Sequence, residues 1–170
     1  FNQDDLLEHV QDWIDKTGVD AALLEVELTE SSIMQDPEAA AGILGRLSDA
    51  GVRVTIDDFG TGYSSLAYLK RFPLDALKID RSFVRDVTHD ASDGAIVRTV
   101  IALAQHLGLQ VVAEGVETEE QLEFLRANSC QFAQGFYFSP PVPADEGFGV
   151  IARLERQNLR PAVDEMRLGA

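Results

Sequence analysis

The sequence predicts an α/β domain built on a parallel sheet, and two observations carry that expectation. Short apolar runs alternate with amphipathic helical stretches, at a spacing that suits crossover helices between parallel strands. Nearly every expected strand also ends in a polar group: Glu27 and Glu30, Asp57 and Asp58, Lys78 and Asp80, Glu114 and Glu117, and Gln134. In a (β/α)-barrel the carboxyl ends of all strands share one rim, so these groups would converge there. Five strands can be counted where a closed barrel needs eight. Either the sheet is open and doubly wound, or three strands precede Phe1.

The elements follow in order. Leu6, Leu7, Val10, Trp13 and Ile14 form a helical stripe over residues 3–16. Residues 23–30 alternate as a strand, with Leu24, Val26 and Leu28 on one face and Glu25, Glu27 and Thr29 on the other. Residues 36–51 read as a helix with Asp36 as N-cap, Pro37 in the first turn and Gly51 as the stop. A strand is expected at 52–58, a short helix at 64–72 and a strand at 76–80. A helix at 92–107 closes at Gly108 and leads to a strand at 109–115. Thr118 and Gln121 have the spacing of a capping box at the head of a helix over 118–129. A strand at 130–138 and a helix at 144–157 complete the pattern, so the domain is expected to occupy 1–158 with a tail at 159–170.

Composition narrows the function. Acids outnumber bases 29 to 14, for a formal charge of −15. Such a surface repels nucleic acid, whose binding depends on Lys and Arg neutralising phosphates, so no nucleic-acid polymer is expected as a partner. No apolar run approaches the ~18 residues of a membrane helix, and the start has no signal-peptide pattern. The single Cys130 has no partner for an internal disulfide, which points to a reducing compartment and a cytoplasmic location. The chain opens at Phe1 rather than Met, as expected of a part of something longer. His9, His89 and His106 are scattered without metal-ligand spacing.

The stretch VTIDDFGTGYSS (54–65) sets two carboxylates at the mouth of an apolar strand. An Asp pair before a turn is often only a helix cap. Here Val52, Val54 and Ile56 face one side, so Arg53, Thr55 and Asp57 face the other, which in a barrel is the packed interior. A carboxylate there is costly unless neutralised. Gly60 and Gly62 leave space beside the acids, and hard divalent cations such as Mg²⁺ or Mn²⁺ favour oxygen ligands. Glu25 and Glu27 also face inward. Glu25 lies deeper, with Arg53 on the next strand as an ion-pair partner, whereas Glu27 lies nearer the rim and has no basic neighbour in sequence. Lys78 alternates inward between Leu77 and Ile79. It either pairs with Asp80 or another acid, or holds a phosphate oxygen or an attacking water. Glu114 is either a helix-entry acid or a metal ligand or general base, and Glu117 is a helix-entry or supporting acid. Gln134 reads as a buried amide that needs partners. Phe132, Phe136, Tyr137 and Phe138 read as core, with one free to stack on a base at the rim.

These blocks together resemble the EAL domain, a cyclic di-GMP phosphodiesterase family with a TIM-barrel fold. ELTES (27–31) resembles its E-x-T-E-S motif and DDFGTGYSSL (57–66) its signature loop. LKIDRSFV (77–84), VVAEGVET (111–118) and QGFYFSPPVP (134–143) follow in the family's order. The resemblance implies two ions, Mg²⁺ or Mn²⁺, with Glu27 and Asp57 on one and Asp57 and Asp58 on the other. It implies that Glu30 supports the 57–65 loop and that Asp80 and Glu117 support the site. Lys78 would hold water or phosphate, Glu114 would be the base or a further ligand, and Gln134 would hold water. The implied reaction is hydrolysis of cyclic di-GMP to linear pGpG, in a homodimer whose parent carries upstream sensory or cyclase domains. The family's Glu-Ala-Leu and Asn-x-Ser motifs do not occur in this sequence. The chain therefore resembles the latter two-thirds of the domain, about five β/α units of an incomplete barrel, and little activity is expected of it alone. Two other readings compete: an inactive module that binds cyclic di-GMP, and a phosphoacceptor receiver, whose acidic pair follows the first strand rather than the second.

Overall fold

The computed structural model describes residues 3–62 and 66–157, with side chains from Leu6 onward. The expected tail at 159–170 lies outside them, as do Tyr63, Ser64 and Ser65 of the signature loop.

Helix α1 (Gln3–Thr17) leads through a 3-10 turn at Ala21–Leu23 into β1 (Glu25–Thr29). Then follow α2 (Glu30–Gln35), α3 (Pro37–Asp49), β2 (Arg53–Phe59), α4 (Leu66–Leu69), β3 (Ala76–Ile79) and α5 (Arg81–Arg85). The last elements are α6 (Ala91–Leu107), β4 (Gln110–Ala113), α7 (Glu119–Ala127), β5 (Phe132–Ala133) and α8 (Ala144–Arg156). All strand pairs are parallel and the order is β1-β2-β3-β4-β5, the sequential order of barrel strands. Sequential order rules against double winding, because a doubly wound sheet reverses its order part-way.

Strand register sorts the side chains into two faces. Glu27 lies beside Thr55, Thr55 beside Ala76, and Lys78 beside Val112. One face therefore carries Glu25, Glu27, Arg53, Thr55, Asp57, Ala76, Lys78, Gln110 and Val112. The other carries Val54, Ile56, Leu77, Ile79, Val111 and Ala113, each fully buried against the helices. Leu44 and Leu47 of α3 and Val97, Ile101 and Ala104 of α6 complete this core.

Several local expectations hold. Asp36 caps α3 by accepting from the Ala39 amide, Gly108 closes α6 at φ 73°, and Thr118 and Gln121 form a reciprocal capping box. Deep on the polar face, Arg53 lies 3.9 Å from Glu25. It donates more closely to Gln110, at 2.6 Å, while Thr55 donates to Glu25 at 2.8 Å.

Other expectations are corrected. The strand expected over 130–138 is regular only at Phe132–Ala133, because the chain turns at Gly135 and runs on in turns through Phe138. Phe136 is 66% exposed there, whereas Tyr137 and Phe138 pack edge to face at 5.5 Å against the core. Glu30 does not end β1: Thr29 caps α2, and Glu30 is its first residue. The short helix α5, capped by Asp80, has too few residues to show periodicity. Cys130 donates to the Phe132 carbonyl, and burial pushes its thiol up to about 11.

Thr118 closes the turn that follows β4, so Thr118→Ala should cost about 1 kcal/mol through loss of the cap. Urea unfolding should read this as a lower midpoint with an unchanged m-value.

Candidate metal and catalytic site

The upper part of the polar face gathers around Lys78. The middle strand β3 is buried along its whole length, and Lys78 is only 6% exposed. Its ammonium lies 2.9 Å from Glu27 on β1, 3.6 Å from Asp57 on β2 and 2.6 Å from Glu114 just past β4. Glu27, without a basic neighbour in sequence, thus has one in space. Lys78 pairs with these three acids rather than with Asp80.

The two adjacent aspartates act on one site because the strand is irregular. Register between β2 and β3 shifts between Ile56 and Phe59, and Asp58 takes φ 54°. Side chains alternate in a regular strand, so neighbours point apart. An irregularity with one residue in the left-handed region cancels that alternation, and Asp is among the residues that tolerate it. The Asp57 carboxylate accepts from the Asp58 amide at 3.0 Å. Asp57, Asp58 and Glu114 then each offer an oxygen within 4.8 Å of the others. Hard cations bind oxygen at roughly 2.0–2.6 Å, so oxygens on one ion lie within about 5 Å of each other. The donor set therefore suits a divalent cation.

The electrostatics follow from an excess of acid. Burial, then the negative charge of Asp57, raises Asp58 above the ordinary carboxylate range, and its side chain meets that of Asp80. Burial also works to raise Asp80, but the Ser82 hydroxyl and amide outweigh it and Asp80 ends below its usual value. Burial raises Glu114 despite its contact with Lys78. Lys78 is itself raised: burial opposes its charge, but bonds to Glu114 and Glu27 and the field of Asp57 prevail. Both partners shift upward for different reasons: burial disfavours the charged form of Glu114, whereas the surrounding carboxylates favour the charged form of Lys78.

The remaining expected residues take separate places. Glu30 is 1% exposed and accepts from the Gly60 amide at 2.9 Å, bracing the start of the 57–65 loop from below. Asp80 caps α5 beside Asp58. Glu117 is exposed and lies outside the carboxylate trio; its amide donates to Gln121. Gln134 is exposed rather than buried, and donates to Glu114 Oε1 at 2.6 Å. Gln121 was missed by sequence reasoning beyond its cap. It is buried, accepts from the Glu117 and Thr118 amides and donates to the Arg85 carbonyl, tying the β4–α7 turn to α5. Its only sequence signal is the capping box.

A model of the EAL domain matches residues 1–141. The chain belongs to the EAL domain family. Cyclic di-GMP phosphodiesterase NbdA of Pseudomonas aeruginosa is 51% identical over 138 residues, which cover 81% of this EAL chain and 18% of that protein. The PaMucR phosphodiesterase, solved as a c-di-GMP complex, is 48% identical with a TM-score of 0.81, over 83% of this chain and 57% of that one. BlrP1 of Klebsiella pneumoniae, solved as a manganese and c-di-GMP complex, is 36% identical with a TM-score of 0.75, over 81% and 35%. The chain spans about a fifth of the length of the curated relatives it matches. No helix among the described residues is long and apolar enough to cross a membrane.

Lys78→Met removes the one ammonium among these acids. Loss of a buried pair's partner costs ~3–5 kcal/mol, and solvent around Glu27 lowers this to about 1–3 kcal/mol. Glu114 and Asp58 already lie above their ordinary values with Lys78 lowering both, so its removal raises them further above their unfolded values. The variant should therefore be least stable at neutral pH and regain stability as pH falls toward the carboxylate range. Thermal unfolding in chelator at a series of pH values checks this; a wild-type profile would contradict it.

Proposed function

We propose that this chain carries the greater part of a two-metal site that hydrolyses cyclic di-GMP to linear pGpG. The observation that carries the reading is the Lys78 ammonium among Glu27, Asp57 and Glu114, with Asp58 beside them, at the strand ends of an EAL-family sheet. The c-di-GMP held by the PaMucR and BlrP1 complexes, and the manganese of the latter, support it.

Each residue has a part. Asp57, Asp58 and Glu27 would hold two divalent cations, Mg²⁺ or Mn²⁺, with Asp57 shared. When bound, such ions supply Lewis acidity at the phosphate and neutralise its charge. Glu114, raised by burial, is suited to take the proton of the attacking water. Gln134 fixes the Glu114 carboxylate by donating to one oxygen, and Lys78 holds a phosphate oxygen or the water. Water adds at phosphorus and a ribose 3′-oxygen leaves as the hydroxyl, so one phosphodiester opens. Glu30 keeps the 57–60 backbone in place from outside the reacting groups.

The alternative is a module that binds cyclic di-GMP without cleaving it. The two are separated under single-turnover conditions, with protein in excess over nucleotide and Mn²⁺ present. Slow formation of pGpG is expected by chromatography, absent with chelator and reduced at least ~100-fold in Asp57→Asn and Glu114→Gln. Retention of cyclic di-GMP without product decides for the binding module. Neither binding nor product overturns both.

A further inference from the structure

Glu114 and Gln134 meet across the gap between β4 and β5, and beside them the Val116 peptide packs where a side chain on Gly135 would lie. Gln134 donates its amide to Ala113 O at 2.9 Å and accepts from the Val116 amide at 3.0 Å. The Val116 carbonyl then accepts from Tyr137 at 2.9 Å. The Val116 peptide is thus held on both sides by the chain that turns at Gly135. A Cβ on Gly135 would lie 2.2 Å from Val116 O and 2.3 Å from Val116 N, and the residue has φ 156°. The neighbouring atoms are backbone, so no rotamer change relieves the contact. Val116 is itself fully buried and part of the core, so it cannot move outward cheaply.

We propose that Gly135 is a positioning residue: its missing side chain lets the Val116 peptide pack against the turn, which sets Gln134 where its amide holds the Glu114 carboxylate. Any larger residue must separate these segments by about 1 Å, the gap between the 2.2 Å contact and the ordinary limit near 3 Å. The Gln134–Glu114 bond is 2.6 Å long, and Glu114 also bonds Lys78 at 2.6 Å. A shift of that size stretches the first bond to the edge of hydrogen-bonding range and leaves Glu114 oriented mainly by Lys78. Gly135 touches no reacting atom; it acts through Gln134. The inference rests on the reading above, in which Glu114 belongs to the reacting site.

A double-mutant cycle tests this with Mn²⁺ alone as the probe, on the full 170-residue chain. Loss of a residue that orients a metal-site group typically weakens metal binding ~10–100-fold. Gly135→Ala and Gln134→Ala should each weaken Mn²⁺ binding by about tenfold by titration calorimetry. The double variant should be no weaker than Gln134→Ala, because the glycine acts through the glutamine. Additive losses, as from general loosening of the fold, would overturn the proposal. If Gly135→Ala does not fold, Gln134→Met serves, since it keeps the volume and lacks the donor. Wild-type Mn²⁺ affinity in that variant overturns the proposal, which requires a roughly tenfold loss once the Gln134 donor is gone. These readouts use no nucleotide, so an absence of cyclic di-GMP hydrolysis would defeat the phosphodiesterase reading without deciding this one.

Discussion

A single ammonium group shared by three carboxylates organises this molecule. Lys78 can be so thoroughly buried only because Glu27, Asp57 and Glu114 surround its charge. Those acids can approach one another only because a cation stands between them. Their convergence in turn requires four neighbouring parallel strands, β1 to β4, ending at similar heights. In a parallel sheet with sequential order, side chains three strands apart in space come from residues fifty or more apart in sequence. The helices α3 to α6 bury the opposite face and thereby hold the strand ends in register. Fold and site are thus one construction: the apolar face supplies the cohesion, and the polar face spends part of it on gathering like charges.

The backbone contributes at two places where regular geometry would fail. At Asp57–Asp58, regular alternation would send one carboxylate into the helical layer. The register shift and the left-handed Asp58 bring both to the same side. Such a residue carries roughly 1–3 kcal/mol of strain. The Asp58 amide bond to Asp57 and the Glu30 brace on Gly60 offset part of it. At Gly135 the chain leaves β5 almost at once, which is why this strand is so short. By the β4–β5 register a longer regular strand would set residue 135 beside Gly115 instead of against the Val116 peptide.

What could be read in the sequence follows from these distinctions. Period-two alternation placed Glu27, Asp57 and Lys78 on one face, and parallel topology placed their strand ends together. Caps at Asp36 and Thr118 and the stop at Gly108 were equally visible, because each is a local hydrogen-bond requirement. Pairing was not visible. Lys78 had Asp80 as its neighbour in sequence, but in space it lies against acids on β1, β2 and the end of β4. The long strand expected over 130–138 failed because aromatic residues score as strand formers even where a turn carries them into the core. Gln134 looked buried for the same reason. Glu30 looked like the end of a strand, whereas Thr29 caps a helix that Glu30 begins; its expected support of the 57–65 loop appears as the bond from the Gly60 amide. The 57–60 irregularity left a hint in its Asp-Asp and Gly residues, but its geometry depends on β3, which the local sequence does not contain.

Charge on the whole chain and charge at the site make different demands. A formal charge of −15 disfavours a dianionic nucleotide at long range, although salt screens this beyond ~8 Å. Close to the strand ends screening is weaker, and Lys78 is the only cation in contact with the acidic cluster among the described residues. It is already neutralised by them, so on its own it leaves the cluster negative. Under the proposed reading the deficit is met by two divalent ions, which add four positive charges where the fold has concentrated carboxylates. The acids are then no obstacle to an anionic substrate: they make its binding conditional on metal, because only the loaded site presents positive charge to the phosphate.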